Sequence, residues 1–272
     1  MATNAGRLPV VFLPHGGGPW PYMTGERRRS HSKLEESLRN LPHELPGKPE
    51  AILVVSGHWE DSGFAVMAGA TPPMIHDYGG FPEELYRIRY PAPGSPSLAL
   101  RAHTLIQQAG LTTRLDGERG FDHGTYSVLA VTHPQAEVPV FQVSIRADYD
   151  PELHMRLGRA LAPLRDEGVL IIGSGSSYHN LSRFFGPRGR NEDSAKFDTW
   201  LRETLVESGP ALRSERLLEW ERAPAAREAH PQEDHLVPLH VVAGAAEEDP
   251  GRIVYHQEDF LGRIVLSSYR FG

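Results

Sequence analysis

Two stretches of this chain run apolar and then break on a histidine, and they restrict its fold more than any other feature. Residues 8–20 read LPVVFLPHGGGPW, and residues 53–61 read LVVSGHWED. Continuous apolar runs rich in β-branched residues suit strands buried on both faces. In open α/β sheets, ligands gather beyond the carboxyl ends of such strands, which is where His15 and His58 would stand.

The same apolar signal predicts strands over residues 9–13, 51–55, 64–68, 138–143, 169–172, 252–255 and 264–268. Helical periodicity lies between them over residues 32–41, 96–109, 151–164, 194–207 and 235–246. This alternation implies an α/β fold, with a central mainly parallel or mixed sheet flanked by helices. No repeat or low-complexity linker divides the chain, so residues 1–272 read as a single domain. The piece YPAPGSPS (residues 90–97) reads as a loop that enters a helix with Pro96 in its first turn.

Composition narrows the chemistry. The chain has no cysteine, which excludes disulfides, thiolate metal sites and a cysteine nucleophile, and leaves any metal to His, Asp and Glu. A formal net charge of −7 argues against broad nucleic-acid binding, which needs a basic surface. The one basic cluster, GERRRSHSK, reads as a solvated loop before a helix. No apolar run approaches the ~20 residues that span a membrane, and no signal core opens the sequence, so a cytoplasmic protein is expected.

Of 14 histidines, five sit beside glycine, serine or an element boundary, where backbone can approach a ligand. They are His15, His58, His123 in RGFDHGTYS, His179 in GSGSSYHNL and His235 in HPQEDHLVPLH. Neutral imidazole is a common ligand for iron and zinc, and several imidazoles at one sheet edge fit a mononuclear metal centre. His31, His43, His103, His133, His154 and His256 lie in polar surroundings and are expected at the surface or partly packed. His240, five residues after His235 on the same expected helix, would point elsewhere and reads as structural. Spacing alone leaves His230, Glu233, Asp234 and His235 as alternatives for one ligand. GSGSS is out of register with a Gly-x-Ser-x-Gly nucleophile elbow, and Gly16–Gly18 lack the Gly-Lys-Ser/Thr of a phosphate loop.

Eight ordered motifs, PHGGGP, SGHWE, HDYGGFPEELYRIRYPAPG, GFDHGTYSVL, PVFQVSI, IIGSGSSYHNL, HPQEDHLVPLHVVAGAA and SSYRFG, span nearly the whole chain. Through them the sequence resembles the class III extradiol ring-cleavage dioxygenases, most closely the 4,5-DOPA dioxygenase extradiol family of the protocatechuate 4,5-dioxygenase β-subunit superfamily. The resemblance implies an Fe(II) site ligated by His15, His58 and His235, and by the usual divalent order Zn(II) could occupy such a site after purification. It implies His179 as catalytic base or further ligand, and His123 as the histidine that orients substrate and dioxygen or passes a proton. The segment FPEELYRIRYPAPG would frame the substrate pocket. The implied partners are a catechol and O₂, and the implied product is a muconic semialdehyde. A zinc hydrolase, which lacks a His-Glu-x-x-His motif here, and a non-enzymatic binding protein on the same fold are the alternatives.

Overall fold

In a computed structural model, residues 6–184 and 191–272 are described. Strands run in the order β1 (Val10–Pro14), β2 (Ala51–Asp61), β3 (Phe64–Met67), β4 (Thr113–Asp116), β5 (Val140–Arg146), β6 (Val169–Gly175), β7 (Gly251–Phe260) and β8 (Ile264–Phe271). Helices are α1 (Gly25–Arg29), α2 (Ser32–Asn40), α3 (Pro96–Gln108), α4 (His123–Thr132), α5 (Pro151–Leu161), α6 (Leu181–Phe184), α7 (Glu192–Arg202), α8 (Pro210–Leu218), α9 (Ala226–Ala229) and α10 (Val237–Ala245).

All the strands join one sheet, in the order β4-β3-β5-β2-β6-β1-β8-β7. Its centre, β5-β2-β6-β1, is parallel, and β8 and β7 add antiparallel at one edge. The sheet is therefore mixed around a parallel core, as the strand–helix alternation implied. Successive residues of a strand point to opposite faces. At Gly173 the β6 backbone meets Pro238 and Val242 of α10, while the Ser174 hydroxyl donates to the Gly124 carbonyl of α4. α10 and α4 thus cover opposite faces, and the central strands are buried except at the carboxyl ends of β2 and β5, which explains their unbroken apolar runs.

Several elements differ from expectation. β4 carries TRLD on a half-exposed edge and has no apolar run to mark it. α4 begins HGTYSV, whose glycine and β-branched residues are weak helix formers, and it is started instead by its Asp122 cap, which accepts the Thr125 N–H at 3.0 Å. The amphipathic α8 lay in a stretch with no expected element. The helix expected over residues 194–207 is α7 followed by a single wider turn at Glu203–Glu207. The basic cluster forms the short exposed helix α1 rather than a loop, and its Arg28 pairs with Glu35 at 2.6 Å. Among the described residues, no helix is long and apolar enough to cross a membrane.

Candidate metal centre

The five singled-out histidines converge at the carboxyl ends of β1, β2 and β6. His15 follows β1 directly, with its amide bonded to the Gly175 carbonyl at 3.3 Å. His58 lies within β2 rather than after it, because β2 continues to Asp61. Its register against β5 jumps between Ser56 and Glu60, so residues 57–59 leave the ladder as a bulge and carry His58 toward the cleft. His123 opens α4. His179 lies beyond β6, with its amide on the Ala229 carbonyl at 3.0 Å.

His235 was expected to open the last long helix. It sits two residues earlier, in the turn before α10, and two glycines let that turn press on the strand ends. A Cβ at Gly57 would stand 2.8 Å from the Asp234 carbonyl oxygen, and one at Gly175 would stand 2.1 Å from that of His235. The His235 carbonyl accepts the Ser176 N–H at 2.9 Å, which locks the approach.

The Nε2 atoms of three histidines meet. His58 Nε2 is 3.1 Å from His15 Nε2 and 3.2 Å from His235 Nε2, and the three form a ligand-competent group. His123 packs on His58 with ring centroids 4.0 Å apart, and His179 stacks on His235 at 3.4 Å. The four candidates near the last ligand separate. His230 is buried behind the site with Nε2 3.2 Å from the Ser177 carbonyl, and Glu233 turns to Arg227 at 2.7 Å. Asp234 stays at the site, with one oxygen 2.9 Å from His235 Nδ1 and the other 3.9 Å from His179 Nδ1.

Electrostatics keeps the rings of His15, His58, His179 and His235 neutral. Burial first, then repulsion from His58 and His235, holds His15 well below the usual histidine range. Burial with His179 and His58 does the same to His235. Burial and then His123 push His58 down to about 4 against the pull of Asp122, Asp77 and Asp234. Burial brings His179 to about 4, opposed by Asp234, and the Asp234 carboxyl is itself raised by burial. Burial alone would raise the Asp77 carboxyl too, but the His123 ring and amide hold it down to about 2.

The donor set fits a divalent metal. Three neutral imidazoles aim Nε2 at one point, and Ser174 fixes the tautomer of His15 by taking its Nδ1 side, at 3.1 Å. Lone pairs crowded this closely repel unless a cation lies among them. Beside them opens a cleft of about 710 Å³. Its far wall is apolar, with Phe81, Leu181, Phe184 and Phe260, and Arg27 reaches it from α1.

Sequence reasoning missed two residues here. His31, expected at the surface or partly packed, is buried, stacks on Trp20 at 4.8 Å and lines the cleft. Asp77 contacts both His58 and His123, and only its place in HDYGG marked it. His154, also expected near the surface, is fully buried on α5. Its Nδ1 donates to the Asp150 carbonyl at 2.6 Å and its Nε2 accepts the Arg146 N–H at 3.0 Å. A neutral imidazole satisfied at both nitrogens can be buried, and the local sequence does not reveal those partners. Of the segment FPEELYRIRYPAPG, Phe81 reaches the cleft, whereas Tyr86–Ala92 border a separate hollow.

A model of the family described as the catalytic LigB subunit of aromatic ring-opening dioxygenase matches residues 9–270. The chain is similar to the 4,5-DOPA dioxygenase extradiol of Beta vulgaris, 39% identical over 266 residues that cover 96% of each chain. It is also similar to the 4,5-DOPA dioxygenase extradiol of Escherichia coli (strain K12), 37% identical over 275 residues, 100% of this chain and 97% of that one. Among solved structures, an uncharacterized protein from Escherichia coli K12 matches with a TM-score of 0.78 at 32% identity, covering 98% of this chain and 100% of that one.

Proposed function

Because the chain belongs to the LigB family of aromatic ring-opening dioxygenases, and is thus an extradiol ring-cleaving enzyme, we propose that its substrate is a catechol such as DOPA and its metal Fe(II). The observation that carries the metal reading is the convergence of three Nε2 atoms within 3.2 Å of their neighbours. His15, His58 and His235 would hold the ion. A ferrous ion, when bound, would supply open coordination positions for both substrates and a path for electrons from the catechol, which is oxidised, to O₂, which is reduced.

The remaining work falls to the protein. A catechol hydroxyl is a weak acid with a pKa near ~10, as for a tyrosine phenol, so a positioned base lowers the cost of ionising it. His179 takes that proton. Its neutral ring is ready to accept one, and Asp234 stabilises the charge that results. His123 on the opposite side steadies substrate and dioxygen or passes a proton back. The apolar wall of Phe81, Phe184 and Phe260 packs the aromatic ring and keeps water from the reacting carbons. Both atoms of O₂ end in the ring-opened, muconic semialdehyde-type product.

Zn(II) would fill the same ligands more tightly than Fe(II) by the usual divalent order, so the metal retained through purification does not identify the working one. The test is anaerobic reconstitution of metal-free protein with Fe²⁺ or Zn²⁺, then exposure to DOPA, protocatechuate and simple catechols in air. Iron-dependent O₂ uptake with a yellow product supports the reading. Tight metal binding with no uptake on any of these catechols would overturn the proposed substrate and metal.

A further inference from the structure

Asp77 lies in the connection between β3 and α3, outside any helix or strand. Short pairings hold that connection in place. Ile75 N–H donates to the Phe121 carbonyl and Phe121 N–H to the Pro73 carbonyl, both at 2.8 Å. Anchored beside residue 121, Asp77 turns its two oxygens to two different histidines. Oδ1 is 3.0 Å from His123 Nδ1 and accepts the His123 backbone N–H at 3.0 Å. Oδ2 is 3.5 Å from His58 Nδ1. The His123 ring is at hydrogen-bonding distance without being aligned for the bond, and the His58 contact is likewise an ion-pair approach rather than a formed hydrogen bond. Among the described residues, no other carboxylate is in ion-pair range of either ring.

A neutral imidazole carries one N–H, and a carboxylate can only accept. A carboxylate against Nδ1 therefore places the proton there and leaves the lone pair on Nε2. For His58 that is the nitrogen facing His15 and His235. The geometry points to Asp77 as a positioning residue that sets the tautomer and ring orientation of His58 and His123 together, joining one metal ligand and one substrate-facing histidine through a single carboxylate. The inference rests on the metal reading given above. Carboxylates behind metal-bound histidines raise ligand basicity and fix ring direction, and their loss typically weakens metal binding ~10–100-fold.

The experiment uses full-length protein freed of metal, as wild type, Asp77→Asn and Asp77→Glu. Asparagine keeps the size and an acceptor for the His123 amide, but cannot serve both rings as a carboxylate. In competition with a chromophoric chelator, Asp77→Asn should bind Zn²⁺ ~10–100-fold more weakly, and Asp77→Glu should recover part of the loss. Zn²⁺ affinity of Asp77→Asn within twofold of wild type would overturn the inference. Independently of any variant, ¹⁵N spectra of wild-type apoprotein should show His58 and His123 protonated at Nδ1, and protonation at Nε2 would overturn it. Wild type that binds no Zn²⁺ would refute the metal reading instead, with the tautomer measurement still deciding what Asp77 does.

Discussion

His15 directly follows β1 and Ser174 lies on the neighbouring parallel strand β6, and the serine Oγ stands 3.1 Å from His15 Nδ1. Because that hydroxyl gives its own proton to the Gly124 carbonyl, it is free only to accept from the imidazole. One buried serine thereby determines which nitrogen of His15 is left to face His58. Ser174→Ala should weaken metal binding by roughly tenfold or more, as for other groups that orient a ligand. Chelator competition on the full-length variant checks this, and unchanged affinity would leave Ser174 a packing residue.

Replacing His179 tests the proposed division between a base and the metal ligands. His179→Gln should lower kcat by about 10²–10⁴, the usual contribution of general acid–base catalysis, while the protein still binds one metal per chain. Equal loss of metal and turnover would instead make His179 a ligand. Metal content by elemental analysis beside steady-state kinetics distinguishes the two.

Gly175 tests how His235 is delivered to the cluster. An alanine Cβ there would stand 2.1 Å from the His235 carbonyl oxygen, and backbone cannot yield as a side chain can. Gly175→Ala should push the turn at residues 234–236 away from β6. The overpacking should cost about 1–3 kcal/mol of stability and also reduce metal affinity. Urea unfolding of the apoprotein and a metal titration measure the two effects, and a variant normal in both would refute the close approach.

Acid should destabilise the fold well above the carboxylate range. Burial holds His133, His154 and His240 at about 4 and His230 at about 3, against ~6.5 in an unfolded chain. Below ~6.5 the unfolded chain takes up protons that the folded protein refuses, so stability is full above that pH and falls as pH drops toward 4. His154 alone accounts for on the order of 3 kcal/mol across that window. Urea midpoints of apoprotein at pH 7.5, 6 and 5 should fall steadily, with a shallower fall for His154→Gln. A flat profile would contradict the burial.

Much of this protein was readable in the order of its residues. The unbroken apolar runs of β1, β2 and β6 marked a parallel core, because a strand covered on both faces has no polar side to show. The breaks at His15, His58 and His179 marked its functional edge. These signals are local, set by strand periodicity and turn chemistry within a few positions. Tertiary structure decided the rest, through contacts between residues far apart in the chain. The bulge at residues 57–59 swings His58 inward, and Gly57 and Gly175 admit the turn that brings His235, rather than His230 or Glu233, against His15 and His58. Asp77 reaches two histidines only because its connection pairs with residues near Phe121. Sequence specifies which donors exist, but whether their lone pairs meet depends on register and close approach, and these emerge only when the chain is packed.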